Sequence, residues 1–211
     1  MSSTIRFQKL KERTAAAFLN AGLQLIMERG YDAVSVSDIA ALADYGRSTF
    51  YLHFRDKEDL AWALLRMQME ALDAHIKQRA QNLPTPKREL FAWRTIFETV
   101  ELQREFFIKM DGKTSLRLRQ MQKDHLLQIF ERSLREGFYS MHPDVPVELS
   151  ARFVVGALVD LLQYWLIHPE QGTPEEMARH MFRLIYRQDP AHYELTSLPH
   201  IESNTAEAPD S

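Results

Sequence analysis

Residues 18–60 read FLNAGLQLIMERGYDAVSVSDIAALADYGRSTFYLHFRDKEDL, and several helix boundaries can be placed within them. The apolar spacing predicts a first helix over residues 9–29. Gly30 is expected to end it, because glycine adopts the left-handed conformation that follows many helices. Ser35 and Asp38 form a capping-box pattern, in which each side chain satisfies an amide of the other residue, and this predicts the start of a second helix.

This second helix is short and is expected to end at Ala43. Asp44-Tyr-Gly46 predicts a tight turn, since aspartate tolerates a left-handed conformation and glycine is an acceptable N-cap. A third helix is predicted over residues 47–54, where Phe50 and Phe54 repeat at i and i+4. Two short helices joined by such a turn and braced by an earlier helix form a helix-turn-helix, the arrangement that places a helix in the major groove of DNA.

The remainder of the chain also predicts helices, because its nine prolines cluster where the apolar periodicity stops. No sheet and no internal repeat is expected. The fold class is therefore all-α, with about nine helices. The predicted helices beyond the first three cover residues 57–82 (capped by Asp56), 86–103 (with Thr85 before it), 104–110, 114–136, 147–167 and 174–187.

Composition limits the classes of protein that fit. The 211 residues are 45% apolar and 26% charged, with a net charge of −3 and no cysteine. Disulfide scaffolds, thiolate zinc sites, iron–sulfur clusters and cysteine nucleophiles are thereby excluded. The start of the chain lacks the apolar segment of a signal peptide, and residues 153–167 are too short an apolar stretch for a membrane span. We therefore expect a cytoplasmic protein without membrane contact.

Four short segments carry a family resemblance: ERGY at 28–31, SDIA at 37–40, TFYLHF at 49–54 and DKEDL at 56–60. In this order they resemble the DNA-binding domain of the TetR/AcrR family of bacterial transcriptional regulators. The resemblance implies a helix-turn-helix domain over residues 1–56, followed by a helical effector-binding and dimerisation domain. Composition predicts a disordered acidic tail after that second domain. The second domain and the tail are expected over residues 57–187 and 188–211.

The predicted DNA contacts come from the third helix and its surroundings. If Phe50 and Phe54 are buried, Arg47, Ser48 and Tyr51 point outward. The resemblance implies that Arg47 and Ser48 read base edges, that Tyr51 and Lys57 contact phosphates, and that Thr49 contacts a phosphate or a nearby base edge. The full set of predicted DNA-binding residues is Arg47, Ser48, Thr49, Tyr51, Lys57, Tyr45, Ser35, Ser37 and His53, for the last of which simple packing is the alternative.

An effector pocket is implied by the resemblance among aromatic residues of the later helices. Ordinary core packing is at least as good an interpretation of each of these residues alone. His125 lies on the apolar stripe of its helix and fits a core histidine as well as a ligand contact. The candidate ligand-binding residues are Trp93, Phe97, Phe107, Met110, His125, Tyr164 and Trp165.

Oligomeric state follows from the helix over residues 147–167, which is apolar nearly all round and so must be covered on more than one side. We expect this helix and the one over 174–187 to form a homodimer with their symmetry mates. A twofold dimer would bind a near-palindromic operator in double-stranded DNA. The complete hypothesis is a repressor that releases its operator when a small-molecule effector binds, without a metal or cofactor.

Two alternatives belong to other functional classes. A helical ligand-binding or protein-interaction protein could retain a degenerate helix-turn-helix that no longer recognises DNA. A helical enzyme is the other alternative, but the sequence has no His-Glu-x-x-His, Gly-rich phosphate loop or Gly-x-Ser-x-Gly motif. No catalytic residue is therefore predicted.

Overall fold

The computed structural model describes residues 3–111 and 116–187, and within these ranges it contains α-helices, 3₁₀ turns and no strand. The predicted all-α fold with an N-terminal helix-turn-helix is confirmed. Gly112, which lies between the helices predicted over 104–110 and 114–136, and the predicted tail over 188–211 are outside the described residues. The helices are α1 (Ser3–Arg29), α2 (Val36–Leu42), α3 (Arg47–Tyr51), α4 (Lys57–Ala80), α5 (Lys87–Leu102), α6 (Arg104–Asp111), α7 (Leu116–Arg135), α8 (Val147–Ile167) and α9 (Pro174–Tyr186).

Most helix ends agree with the local signals. Gly30 has φ 79° after α1, as a residue ending a helix should. The capping box at the start of α2 is complete, because the Ser35 hydroxyl accepts from the Asp38 amide and the Asp38 carboxylate accepts from the Ser35 amide. Thr173 and Glu176 make the same reciprocal pair at the start of α9.

Three helix boundaries differ from the prediction. The first helix begins at Ser3, six residues before the predicted start. Helix α3 ends at Tyr51, since the Leu52 amide bonds to the Thr49 carbonyl in the tighter i to i+3 pattern. Thr85 is not the N-cap of α5. Pro86 occupies that position and makes no side-chain cap, because its ring has neither a donor nor an acceptor.

The described chain divides into two packing units. The first unit comprises residues 3–70 and 105–125, without the four undescribed residues, and the second comprises 71–104 and 126–187. The predicted domain boundary at residue 56 was drawn by function, between DNA binding and effector binding, and not by packing contacts. It stays a prediction. The core of the first unit contains Phe18, Ile26, Ile39, Phe50, Leu60 and Phe106, all of them buried.

The second unit is built chiefly on the packing of α5 against α9. Helix α5 buries Leu90, Trp93 and Phe97, which lie on one face at spacings of three and four. Helix α9 buries Met177, Met181 and Phe182 toward the same core. Residues 89–95 of α5 are all buried, so α5 is covered on several sides, and the apolar face of α9 covers one of them.

Helix α8 corrects the expectation that the apolar stretch near its end is too short to span a membrane. The helix begins at Val147 and has 21 residues, so by length and composition it could cross a membrane, whereas the stretch counted from Phe153 was too short. A single helix of this kind is weak support for a membrane span, because core helices also meet the criterion. Its buried residues include Val154, Val155 and Trp165.

Candidate nucleic-acid interface

The turn between α2 and α3 depends on one left-handed residue. Asp44 has φ 58°, the conformation predicted for it, and the following Tyr45 amide bonds to the Ala40 carbonyl at 3.0 Å. Gly46 then takes extended angles as the N-cap of α3. The chain therefore reverses within four residues and places α3 against α2.

Phe18 of α1 packs against α3 and orients it. Its fully buried ring lies 5.3 Å from Phe50 in an edge arrangement and 5.4 Å from Tyr45, measured between ring centroids. The His53 ring is 5.9 Å away. One aromatic side chain thus contacts the turn, α3 and the residues after α3, and such contacts restrict how α3 can rotate.

The opposite face of α3 is open to solvent. Arg47 and Ser48 are exposed, Tyr51 is 50% exposed, and Thr49 is half-buried. Tyr45 at the turn is 39% exposed. The structure therefore places these five predicted residues on α3 and in the turn before it, with side chains that can form hydrogen bonds in a DNA groove.

Ser35 and Ser37 lie at the start of α2 and are both exposed. The Ser35 hydroxyl donates to Asp38 Oδ2 at 2.5 Å, and its amide donates to the same oxygen at 2.9 Å. These hydrogen bonds lower the pKa of Asp38, and the bond from the Ser35 hydroxyl contributes more than the bond from the Ser35 amide. The structural role of Ser35 is thus capping, and its phosphate contact stays a prediction.

Lys57, the first residue of α4, is held by Tyr31. Its ammonium donates to the Tyr31 carbonyl at 2.7 Å and lies 4.2 Å from the centre of the Tyr31 ring. Partial burial lowers the pKa of Lys57, against the opposing effect of Asp32 and Glu58. Burial also raises the pKa of Tyr31 to about 12, so its phenol is neutral near pH 7. An ammonium has three donors, so contact with a phosphate is compatible with this arrangement.

Two carboxylates flank Lys57 and share one guanidinium. Arg117 Nη1 lies 2.8 Å from Asp56 Oδ2 and 3.3 Å from Glu58 Oε2. Asp56 also caps α4, because its Oδ1 accepts from the Asp59 amide at 2.7 Å. Burial opposes ionisation of Asp56, but the Arg117 and Asp59 hydrogen bonds prevail and its pKa lies below the ordinary 3.8. We refer to Arg117, Asp56 and Glu58 as the α4 ion cluster.

His53 is half-buried and packs against Phe18. Burial, followed by the nearby Lys11 charge, lowers the pKa of the imidazole below 6.5. The ring is therefore neutral near pH 7 and offers a single donor. Packing accounts for this position, and a phosphate contact by His53 stays a prediction.

The residues predicted to bind an effector are divided between the two units. In the second unit Trp93, Phe97 and Trp165 are fully buried, and Phe97 meets Trp165 edge to face at 5.5 Å. The Trp165 indole donates to the Gly172 carbonyl at 2.9 Å. Tyr164, by contrast, is 47% exposed on the surface of α8. The first three are thus core residues here.

The other three candidates lie in the first unit. Met110 is buried and Phe107 is partly buried against the core around Phe18. His125 contacts the edge of Trp62, with ring centroids 5.5 Å apart, and its Nε2 lies 3.7 Å from a Glu70 carboxylate oxygen. The seven candidates therefore do not form one cluster within either unit, and a shared pocket stays a prediction.

Sequence reasoning missed a buried carboxylate. Glu89, in the first turn of α5, is completely buried beside Trp93. An acidic residue at the start of a helix normally indicates only a favourable dipole interaction. The one available signal was that Glu89 stands four residues before Trp93, on the face that α5 buries.

The arrangement of α1, α2 and α3, with a solvent-exposed polar face on α3, defines a helix-turn-helix protein. Two family models match the chain, and together they cover more than half of it. The model described as bacterial regulatory proteins, tetR family, matches residues 18–64. The model described as transcriptional regulator C-terminal region matches residues 92–187. The chain belongs to the TetR family of bacterial regulators.

Individual relatives match to different extents. The uncharacterised HTH-type transcriptional regulator YwcC of Bacillus subtilis is 42% identical over 66 residues, which are 31% of this chain but only 30% of that protein. The chain therefore spans under a third of this relative. The structure of RolR with resorcinol has a TM-score of 0.63 at 22% identity and covers 92% of this chain and 98% of its own. FadR from Bacillus subtilis in complex with stearoyl-CoA has a TM-score of 0.58 at 19% identity, and the match covers 80% of this chain and 96% of the FadR chain. Both structures support the fold.

Proposed function

We propose that this protein is a homodimeric transcriptional repressor, located in the cytoplasm, that binds a palindromic operator and releases it when a small molecule binds. The observation that carries the proposal is the open polar face of α3, held in place from behind by the buried rings of Phe18 and Phe50. Membership of the TetR family gives this face a DNA-binding role.

Two kinds of DNA contact are proposed from this face. Arg47 and Ser48, at the exposed start of α3, hydrogen-bond to base edges in the major groove. Tyr51, Thr49 and Lys57 contact phosphates and so fix the position of α3 without reading sequence. The remaining predicted contacts are Tyr45 and His53, whose rings pack against Phe18, Ser35, whose hydroxyl is used in capping, and the exposed Ser37.

The proposed dimer uses an apolar face of the second unit. Phe153, Ile167 and Leu184 are 62%, 70% and 69% exposed on α8 and α9. They line a groove of about 500 Å³ together with Asp160 and other residues of these two helices. Exposed apolar side chains on two neighbouring helices are typical of an interaction surface, and a second copy would cover them by twofold symmetry.

The small-molecule part of the proposal draws on relatives with bound ligands. One structural neighbour holds stearoyl-CoA and another holds resorcinol. A ligand that binds the DNA-free form more tightly than the DNA-bound form shifts the population away from DNA. The same linkage requires that operator DNA weakens ligand binding by an equal factor.

The test is selection from a random duplex library with the full-length protein at moderate salt, followed by sequencing of the retained DNA. Enrichment of a palindrome supports the proposal, and the enriched duplex then serves as a binding probe. Contacts to about 8 to 10 phosphates should give a slope of about −7 to −9 in a plot of log K against log salt.

The contrary result is also clear. A folded dimer that enriches no sequence and shows almost no salt dependence would be an interaction protein with a degenerate helix-turn-helix. Repeating the selection after denaturation and refolding removes any co-purified effector, so a second failure contradicts the repressor function itself.

A further inference from the structure

The second unit contains a buried carboxyl group without a hydrogen-bond partner among the described residues. Glu89 has no exposed surface, and neither of its carboxylate oxygens accepts a hydrogen bond from the described residues. Removing a carboxylate from water without pairing it is strongly unfavourable. Such a group in a native protein calls for an explanation, and binding of a ligand is one of the established ones.

The neighbouring cations on α5 are directed elsewhere. The Arg88 guanidinium donates to the Leu83 carbonyl and to the Gly137 carbonyl, both at 3.0 Å. Arg94 lies 3.4 Å from a carboxylate oxygen of Glu98. Among the ion pairs within residues 3–111 and 116–187, none includes Glu89.

The surroundings of Glu89 are aromatic. Trp93, one turn further along α5, stacks with Phe130 and Tyr139 at centroid distances of 5.8 and 5.7 Å. Burial and the Glu89 charge raise the pKa of Tyr186, and burial is again the main reason that the pKa of Tyr139 is raised. Aromatic faces attract cations, so rings and carboxylate together favour a positive charge.

Two further polar groups in this cluster are unsatisfied. The Tyr186 phenol lies near the Trp93 indole, yet neither the phenol oxygen nor the indole nitrogen makes a hydrogen bond of good geometry. Tyr186 also lines a groove of about 460 Å³ with Ser140, Met141 and His142. That volume is within the usual range for sites that bind small molecules. The groove is thus bordered by one of the two tyrosines on which Glu89 acts electrostatically.

We propose that Glu89 is the recognition group for an organic amine, whose protonated nitrogen pairs with the carboxylate while its apolar part lies against Trp93, Tyr139 and Tyr186. This inference rests on the proposed function, because it names the chemical class of the effector. An ammonium group supplies both the charge and the donors that the carboxylate lacks.

The experiment compares two probes of nearly equal size, 4-phenylbutylamine and the uncharged 4-phenylbutanol, by calorimetric titration of the full-length protein. The unaltered protein should bind the amine at least about tenfold more tightly than the alcohol, which is about 1.4 kcal/mol. In Glu89→Gln the two probes should bind equally. Glu136→Gln is the matched control, because Glu136 is an exposed glutamate of the same unit, paired with Lys77 at 2.8 Å, and should keep the preference.

Thermal unfolding without ligand gives an independent measurement. Glu89→Gln removes an unpaired buried charge, so its midpoint should rise by about 2 to 4 °C or stay unchanged. A fall in the midpoint would identify Glu89 as a structural ion-pair partner and overturn the inference. Equal binding of both probes by the unaltered protein, including no binding of either, would also overturn it. Operator binding is measured separately, so an intact DNA complex with no amine preference rejects only this inference.

Discussion

Arg47 occupies the first position of α3 with its side chain in solvent, where a guanidinium can make paired hydrogen bonds to a guanine edge. Arg47→Ala should relax the base preference at specific operator positions and cost about 1 to 3 kcal/mol of binding free energy. Competition binding with single-base variants of the selected operator measures this change. An unaltered preference profile would remove Arg47 from the base-reading residues.

Lys57 should behave differently, because phosphate contacts carry no base information. Lys57→Ala is expected to weaken all duplexes to a similar extent and to reduce the salt slope by about one. The measurement is a salt titration with both the operator and an unrelated duplex. A loss confined to the operator would contradict the phosphate role and indicate that Lys57 acts by fixing Tyr31.

The α4 ion cluster gives a prediction for acid stability. The pKa of Asp56 is lowered in the folded protein, so its ion pair stabilises the fold above pH 3.8 and this contribution is lost as the pH falls through the folded pKa. Arg117→Gln should lower the stability only slightly at pH 7, since the pair is partly exposed and such pairs contribute little.

The difference between Arg117→Gln and the unaltered protein should shrink as the pH falls through the folded pKa of Asp56, because protonation removes its charge. Urea unfolding at pH 7 and in the acid range measures it. Arg119→Gln, an exposed arginine of the same helix, should show no such dependence. A difference that persists in acid would mean that Arg117 stabilises the protein by packing.

At the scale of single elements, the start of α2 offers a matched pair of serines. Ser35→Ala removes a capping box and should destabilise the protein by about 1 kcal/mol, whereas Ser37→Ala should change stability by less than about 0.5 kcal/mol. Equilibrium unfolding in urea distinguishes them. If the two variants lost equal stability, the capping bonds would not be what holds the start of α2.

Helix ends were predictable where the determining interaction is local. Ser35 with Asp38, and the left-handed Asp44, lie within a few residues of the features they explain, so the sequence pattern was sufficient. The end of α3 was not, because the choice between a further helical turn and a tight turn at Leu52 depends on how Phe50 and Phe54 pack in the core. Local propensity is overruled by such contacts.

Site residues show the same limit. The exposed face of α3 followed from the spacing of Phe50 and Phe54, four residues apart. The hydrogen bond from Lys57 to the Tyr31 carbonyl joins residues 26 positions apart, and Glu89 acts electrostatically on Tyr186, almost a hundred positions away. Sequence periodicity contains no information about such long-range contacts.

At the scale of the whole molecule, the α8 and α9 face decides oligomeric state. Leu184→Glu should weaken the dimer by about a hundredfold, because a carboxylate would be buried at the interface without a partner. Sedimentation velocity over a range of concentrations measures the equilibrium. Ile108→Glu is the control, since Ile108 is 52% exposed and belongs to the first unit, not to α8 or α9.

A Leu184→Glu protein that remained dimeric would place the interface elsewhere. If it became monomeric, operator affinity should fall as well, because a single helix-turn-helix binds one half-site only. The two measurements together test whether the apolar face is required for DNA binding.

The α4 ion cluster also affects how quickly the protein can find DNA. Asp56 and Glu58 flank Lys57, and without a counter-charge they would repel an approaching phosphate backbone. Arg117 offsets part of this negative charge from a helix that begins about sixty residues later in the chain. Encounter rates between charged surfaces depend on the summed local field, so this one arginine should lower the electrostatic barrier to association.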